Sequence, residues 1–222
     1  MRAYPVQLNL KERLCVVVGG GCVGLRKAQG LLASSARVRL VEPRDAAPAC
    51  ALEGVERLAR RFVPDDLEGA LLAFAASDDP EVNRQVAAAA SQRGVLCNRA
   101  DDATGGDFSL PAQLRRGELL MTVSSGGSHP GLAAALRDRL AGEFDDSWAF
   151  IADLAQALRR RRLTPDEAKT YNPAVMHLLM DARLPDLVAK HDRDGIERLI
   201  NETLGSNLSL DKLKLSFPTE SS

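Results

Sequence analysis

The sequence predicts an α/β protein: a doubly wound parallel sheet in the first half, a short connecting segment, and an all-α C-terminal part. Three observations predict it. Short apolar runs alternate with helical patterns through the first half of the chain, as βαβ units do. Three consecutive glycines, Gly19, Gly20 and Gly21, break the first apolar run just before a helical stretch. From Ser147 onward strand-like runs cease and helical spacing takes over.

The elements follow in order. Strands are expected at residues 14–18, 36–41, 55–58, 71–75 and 95–97. Asp79 caps the helix after the fourth strand, Pro80 suits its first position, and Glu81 faces the positive end of its dipole. The alanine-rich stretch from Val86 forms its body and Gly94 stops it. Past Pro111, residues 118–123 read as a strand, 124–128 as a polar turn and 130–140 as a helix. Trp148, Ile151, Leu154 and Leu158 recur at helical spacing and read as core. Arginines 159–162 form a solvated positive end to that helix. Thr164, Pro165, Asp166 and Glu167 open another helix as a capping box, residues 196–204 form the last one, and the chain beyond Asn207 reads as a loose tail. The expected division is 1–113, 114–147, 148–207 and a tail at 208–222.

Composition removes several classes of function. Apolar residues make up 45% of the 222 and formal charges nearly cancel at −1, so the chain has a core but lacks the basic excess of nucleic-acid or membrane-surface binders. Aromatics at 4% argue against a base-stacking platform. No run approaches a membrane span, and the first residues lack the apolar heart of a signal peptide. Cys15, Cys22, Cys50 and Cys97 show no C-x-x-C spacing and are expected to be buried and reduced, which fits a cytoplasmic protein.

Gly19, Gly21 and Gly24 satisfy G-x-G-x-x-G between a strand and a helix, the Rossmann-type dinucleotide fingerprint. The first glycine permits a tight turn, the second admits a pyrophosphate, and the third lets the helix pack close to the strand. Cys22 and Val23 open the helix, whose unpaired N–H groups and positive dipole end suit phosphate. Glu42 follows the second strand where an acid accepts hydrogen bonds from ribose hydroxyls and repels a 2′-phosphate, favouring NAD; Arg44 nearby is instead able to pair with that phosphate. Ser77 and Asp78, beyond the fourth strand, are further cofactor candidates at the sheet edge where such ligands bind.

Several ordered motifs then share one pattern: residues 17–28 with V-V-G-G-G-x-V-x-x-R-K-A, Ala75 to Asn83 with A-x-S-D-D…N, Asn98-Arg99-Ala100-Asp101, Phe108 to Pro111, and Ser124-Ser125-Gly126-Gly127 leading to His129 and Pro130. In this the chain resembles the precorrin-2 dehydrogenase/sirohydrochlorin ferrochelatase family, the module that also forms the front half of bifunctional siroheme synthases. The resemblance implies an NAD-dependent oxidation of precorrin-2 to sirohydrochlorin, with ferrous iron as a possible second substrate in some members. It implies a catalytic role for Asp101 in assisting proton loss, with Asp102 and Asp107 as neighbouring acids. It implies a tetrapyrrole site near Ser125; for such a polycarboxylate the Ser124, Ser125 and Gly126 turn offers hydroxyls and N–H groups, His129 sits beside it, and Asn98, Arg99, Arg115 and Arg116 are further candidate contacts. It also implies a homodimer built from the segment at 114–147. No protein metal site is expected, because the three histidines lack clustered ligand spacing. Two other readings remain open: a chelatase, and a regulatory domain that senses NAD without turning it over.

Overall fold

The computed structural model describes residues 4–102, 105–161, 173–205 and 207–217, in two compact units, Met1–Leu110 and Pro111–Ser222. The capping box at residues 164–167 lies outside the described residues.

The first unit carries a five-stranded parallel sheet, β1 (Leu14–Val18), β2 (Arg37–Val41), β3 (Val55–Leu58), β4 (Leu72–Ala75) and β5 (Leu96–Arg99), ordered β3-β2-β1-β4-β5. Helix α1 (Cys22–Ala33) joins β1 to β2 and α2 (Pro80–Arg93) joins β4 to β5. Two short 3-10 turns flank β3. Every residue of β1 is buried because both faces of the sheet are covered. Val16 and Val18 pack with Val86, Ala89 and Ala90 of α2, while Cys15 and Val17 pack with Ala28 and Leu31 of α1. The parallel ladder ends with Val18 opposite both Val41 and Ala75, so the loops after β1, β2 and β4 leave one edge side by side.

Helix α2 begins as read: Asp79 accepts from the Glu81 N–H at 2.8 Å and Pro80 occupies the first turn. Strand β5 runs two residues further than its apolar run, because Asn98 and Arg99 continue the pairing with Phe74 and Ala75. Cys15 and Cys97 are buried as expected, and burial pushes each thiol up to about 11. Cys22 corrects the expectation: it is exposed at the start of α1, and Cys50 is partly exposed. All four are free thiols.

The second unit opens with an antiparallel ladder of β6 (Ala112–Arg116) and β7 (Leu119–Val123), followed by α3 (Pro130–Glu143). Strand β6 escapes a sequence reading because only Leu114 is buried among polar neighbours. A helical cluster follows: α4 (Ser147–Arg161), α5 (Pro173–Leu179), α6 (Arg183–Ala189), α7 (Arg193–Leu204) and α8 (Leu210–Leu213). Ile151, Leu154 and Leu158 are core as read, with Trp148 packed against it. Helix α7 starts before Ile196 because Asp192 caps it, accepting from the Gly195 N–H.

The expected tail is folded as far as Phe217. Leu208, Leu210 and Leu213 are buried in the helical core, and Phe217 stacks on Phe150 with ring centroids 5.1 Å apart. Asn201 holds the turn by exchanging two bonds with Leu208. No helix among the described residues is long and apolar enough to cross a membrane. Leu210→Ala is expected to cost about 2–4 kcal/mol of stability through lost burial and a residual cavity; equilibrium urea unfolding measures it, and a change indistinguishable from zero would show that α8 is not part of the core.

Candidate active site

The glycine-rich turn is built by close contact. Gly19 sits at φ +104°, and a Cβ there would overlap the Ala76 carbonyl of the adjoining loop. A Cβ on Gly24 would overlap the Gly19 carbonyl oxygen, so the third glycine brings α1 down onto the end of β1. At Gly21, by contrast, a Cβ would meet only Asp78 Oδ1, at 3.9 Å. Open space therefore faces the turn where a pyrophosphate needs it, beside the Cys22 and Val23 amides of the first helical turn.

Glu42 binds this turn to β2. The residue is buried, 1% exposed. Its Oε2 accepts the Gly20 N–H at 2.6 Å and Arg44 Nη2 at 3.0 Å. Its Oε1 accepts the Arg44 N–H and Nε, both at 2.9 Å. Burial pushes the carboxyl up, but the Arg44 guanidinium outweighs it and, with the two amides, holds the pKa near 2. Arg44 also reaches Asp78 Oδ2, at 3.2 Å. Glu42 thus occupies the predicted strand end, but as a buried and fully bonded group.

Beyond β4, the side chain of the fully buried Asn83 accepts the Ser77 N–H and donates to the Ser77 carbonyl, each at 3.0 Å. The Ser77 Oγ accepts the Asp79 N–H. Beyond β5, Arg99 forks onto Asp101, with Nη2 at 2.8 Å and Nε at 3.3 Å, and reaches Asp102 at 3.2 Å. Arg99 first, and Asn83 after it, hold the Asp101 carboxyl below the ordinary carboxylate range. Asp101 keeps 25% of its side chain exposed. Asp107 is committed elsewhere: its carboxylate accepts the Cys97 N–H and its own N–H donates to the Cys97 carbonyl. Asn98 is buried and donates to the Phe108 carbonyl at 2.8 Å, which straps the loop to β5 rather than offering an open donor. Sequence reasoning missed Asn83, whose only signal is its place in the motif beginning at Ala75.

In the second unit, the Ser124 Oγ accepts the Gly126 N–H and the Ser125 Oγ accepts the His129 N–H. Both hydroxyl protons remain able to point at an acceptor. His129 is exposed at the start of α3 and makes no side-chain cap. Arg116 is used internally, bonding the Phe144 and Ala141 carbonyls and pairing with Asp146, whereas Arg115 is exposed. Asp101 and the serine turn thus belong to different units. Among the described residues no group of three His, Cys, Asp or Glu side chains is placed to hold a metal ion.

A parallel sheet with a glycine turn open to a pyrophosphate defines a dinucleotide-binding protein. Residues 6–112 match a family described as putative NAD(P)-binding. The chain is 41% identical over 162 residues to the siroheme synthase of Chromobacterium violaceum, covering 72% of this chain and 34% of that protein. It is 34% identical over 207 residues to the siroheme synthase of Photobacterium profundum, covering 91% and 44%. The solved structure titled SirC, precorrin-2 dehydrogenase, shares the fold with a TM-score of 0.68 at 23% identity, over 92% of this chain and all of that one. The chain is thus similar to siroheme synthases along most of its own length, and it spans less than half the length of the siroheme synthases it matches.

Because the folded-state pKa of Glu42 lies below its ordinary 4.5, the stability its ionised form contributes is complete above 4.5 and lost as pH falls towards 2. Glu42→Gln is expected to be less stable than wild type by about 1–3 kcal/mol near neutrality. Urea unfolding across the acid range should show that gap closing towards pH 2; a gap independent of pH would mean the carboxylate's charge contributes nothing.

Proposed function

We propose that the protein oxidises precorrin-2 to sirohydrochlorin with NAD⁺. A C–H bond of the reduced macrocycle breaks with its electron pair, the hydride forms the new bond on the nicotinamide, and a proton leaves the macrocycle. The products are sirohydrochlorin, NADH and a proton. NAD supplies the hydride acceptor when bound; the glycine turn and the first amides of α1 hold its pyrophosphate. What carries the reading is the Asp101 carboxylate, kept ionised by Arg99 and partly exposed at the sheet edge the glycine turn shares. Its depressed basicity suits a standing negative charge opposite the cation that develops as hydride departs, more than a proton acceptor. The relatives' names support the substrate: the two siroheme synthases and the precorrin-2 dehydrogenase noted above.

Precorrin-2 carries acetate and propionate groups, which suit the Ser124 and Ser125 hydroxyls and the N–H groups of their turn. The four free thiols support a reducing compartment such as the cytoplasm. The assembly is a homodimer through the second unit. Support comes from α3, where Ala133 alone is buried while Leu132 and Leu136 are exposed. The two-stranded ladder it packs on is of a size that is marginal without further cover.

Asp101→Ala is expected to reduce NADH formation from precorrin-2 by at least about 100-fold, on the scale of a lost charge-stabilising group, while NAD⁺ affinity measured by calorimetry changes little. Turnover near the wild-type rate would remove Asp101 from the chemistry. Leu136→Asp is expected to convert the dimer to monomer in light scattering; an unchanged mass would place the interface elsewhere.

A further inference from the structure

An acid at the end of β2 ordinarily reads the ribose diol of the adenosine half, and Glu42 stands there with every acceptor position occupied. The Gly20 amide and three Arg44 donors surround its two oxygens, and the side chain is 2% exposed. A diol reaches it only if Arg44 is first stripped away, leaving a buried charge unpaired. Arg44 and Asp78 are the reverse: their side chains are 58% and 81% exposed.

Strand order adds the placement. Strand β1 lies between β2 and β4, Arg44 follows β2, and Asp78 follows β4. The ion pair between them therefore crosses the end of β1, over the glycine turn, and Asp78 is the nearest group to the open space beside Gly21. A nucleotide laid along that edge meets this pair before it meets Glu42.

The geometry points to Arg44 and Asp78 as the joint readers of the ribose diol, with Glu42 as a positioning residue that aims Arg44 and anchors Gly20. The chemistry matches. A guanidinium donates to a hydroxyl oxygen, and a carboxylate accepts the hydroxyl proton. A 2′-phosphate offers Asp78 no proton in its dianionic form, and the two carboxylates and one guanidinium together repel it. The choice of NAD over NADP thus lies with Asp78, on the β4 loop. This inference rests on the dinucleotide reading of the glycine turn.

Calorimetric titration of the full chain with NAD⁺ and with NADP⁺ tests it, for wild type, Asp78→Asn, Arg44→Ala and Glu42→Gln. Wild type is expected to favour NAD⁺. Asp78→Asn should move the ratio of dissociation constants towards NADP⁺ by about tenfold, and Arg44→Ala should weaken NAD⁺ by about tenfold, each the size of one charge-assisted contact. Glu42→Gln should lower the melting temperature and weaken both cofactors alike, leaving their ratio within about twofold. An unmoved ratio in Asp78→Asn, a ratio shifted towards NADP⁺ in Glu42→Gln, unchanged NAD⁺ affinity in Arg44→Ala, or a wild type that prefers NADP⁺ would each overturn it. Should Glu42→Gln fail to fold, the other two variants decide. Wild type binding neither cofactor would bring down the dinucleotide reading as well, a different result from NAD⁺ binding with unmoved ratios.

Discussion

The first unit depends on one buried charge. Glu42 is nearly inaccessible to solvent, and a carboxylate there without partners would neutralise itself. Arg44 and two backbone amides reverse that outcome and keep it ionised. Through the Gly20 N–H the charge also reaches the glycine turn, so the end of β2 and the loop after β1 behave as one piece. The same guanidinium extends to Asp78 on the β4 loop. Three consecutive loops of the sheet edge are thereby tied together by a single carboxylate and its cation.

A second clamp of similar construction works at β5. Arg99 is 13% exposed and divides its donors between Asp101 and Asp102. Asn83, fully buried on α2, fixes the Ser77 backbone and helps hold the Asp101 carboxyl below the ordinary carboxylate range. Both clamps place an arginine two residues from its acid, and both hold the carboxyl in its ionised form. They differ in exposure: Glu42 is sealed, whereas Asp101 faces outward. In the proposed reaction, chemistry at this edge falls to Asp101, while Glu42 serves structure.

Much of this was legible in the residues. The continuous apolar run of β1 announces a strand buried on both faces, and the Asp79-Pro80-Glu81 start defines α2. Strand β6 was not legible, since an exposed ladder strand with one buried leucine has no apolar alternation to read. Helices α5 and α6 are seven residues each, too short for periodicity to stand out. The segment after Asn207 looked polar because its leucines are spaced among serine, aspartate and lysine; only the core they enter shows why it folds. At the site, residue types were readable but their partners were not. Nothing local says that Arg99 points at Asp101, that Arg44 covers Glu42, or that Arg116 serves carbonyls of its own unit. Those are facts of tertiary packing.

The contact between Gly24 and Gly19 has a consequence for heat and order. With α1 seated against the end of β1 at backbone distance, the turn is already in its holding shape and has little freedom left to surrender. A ligand entering such a mould need not freeze the chain that grips it, and what it forfeits is chiefly its own tumbling and its water.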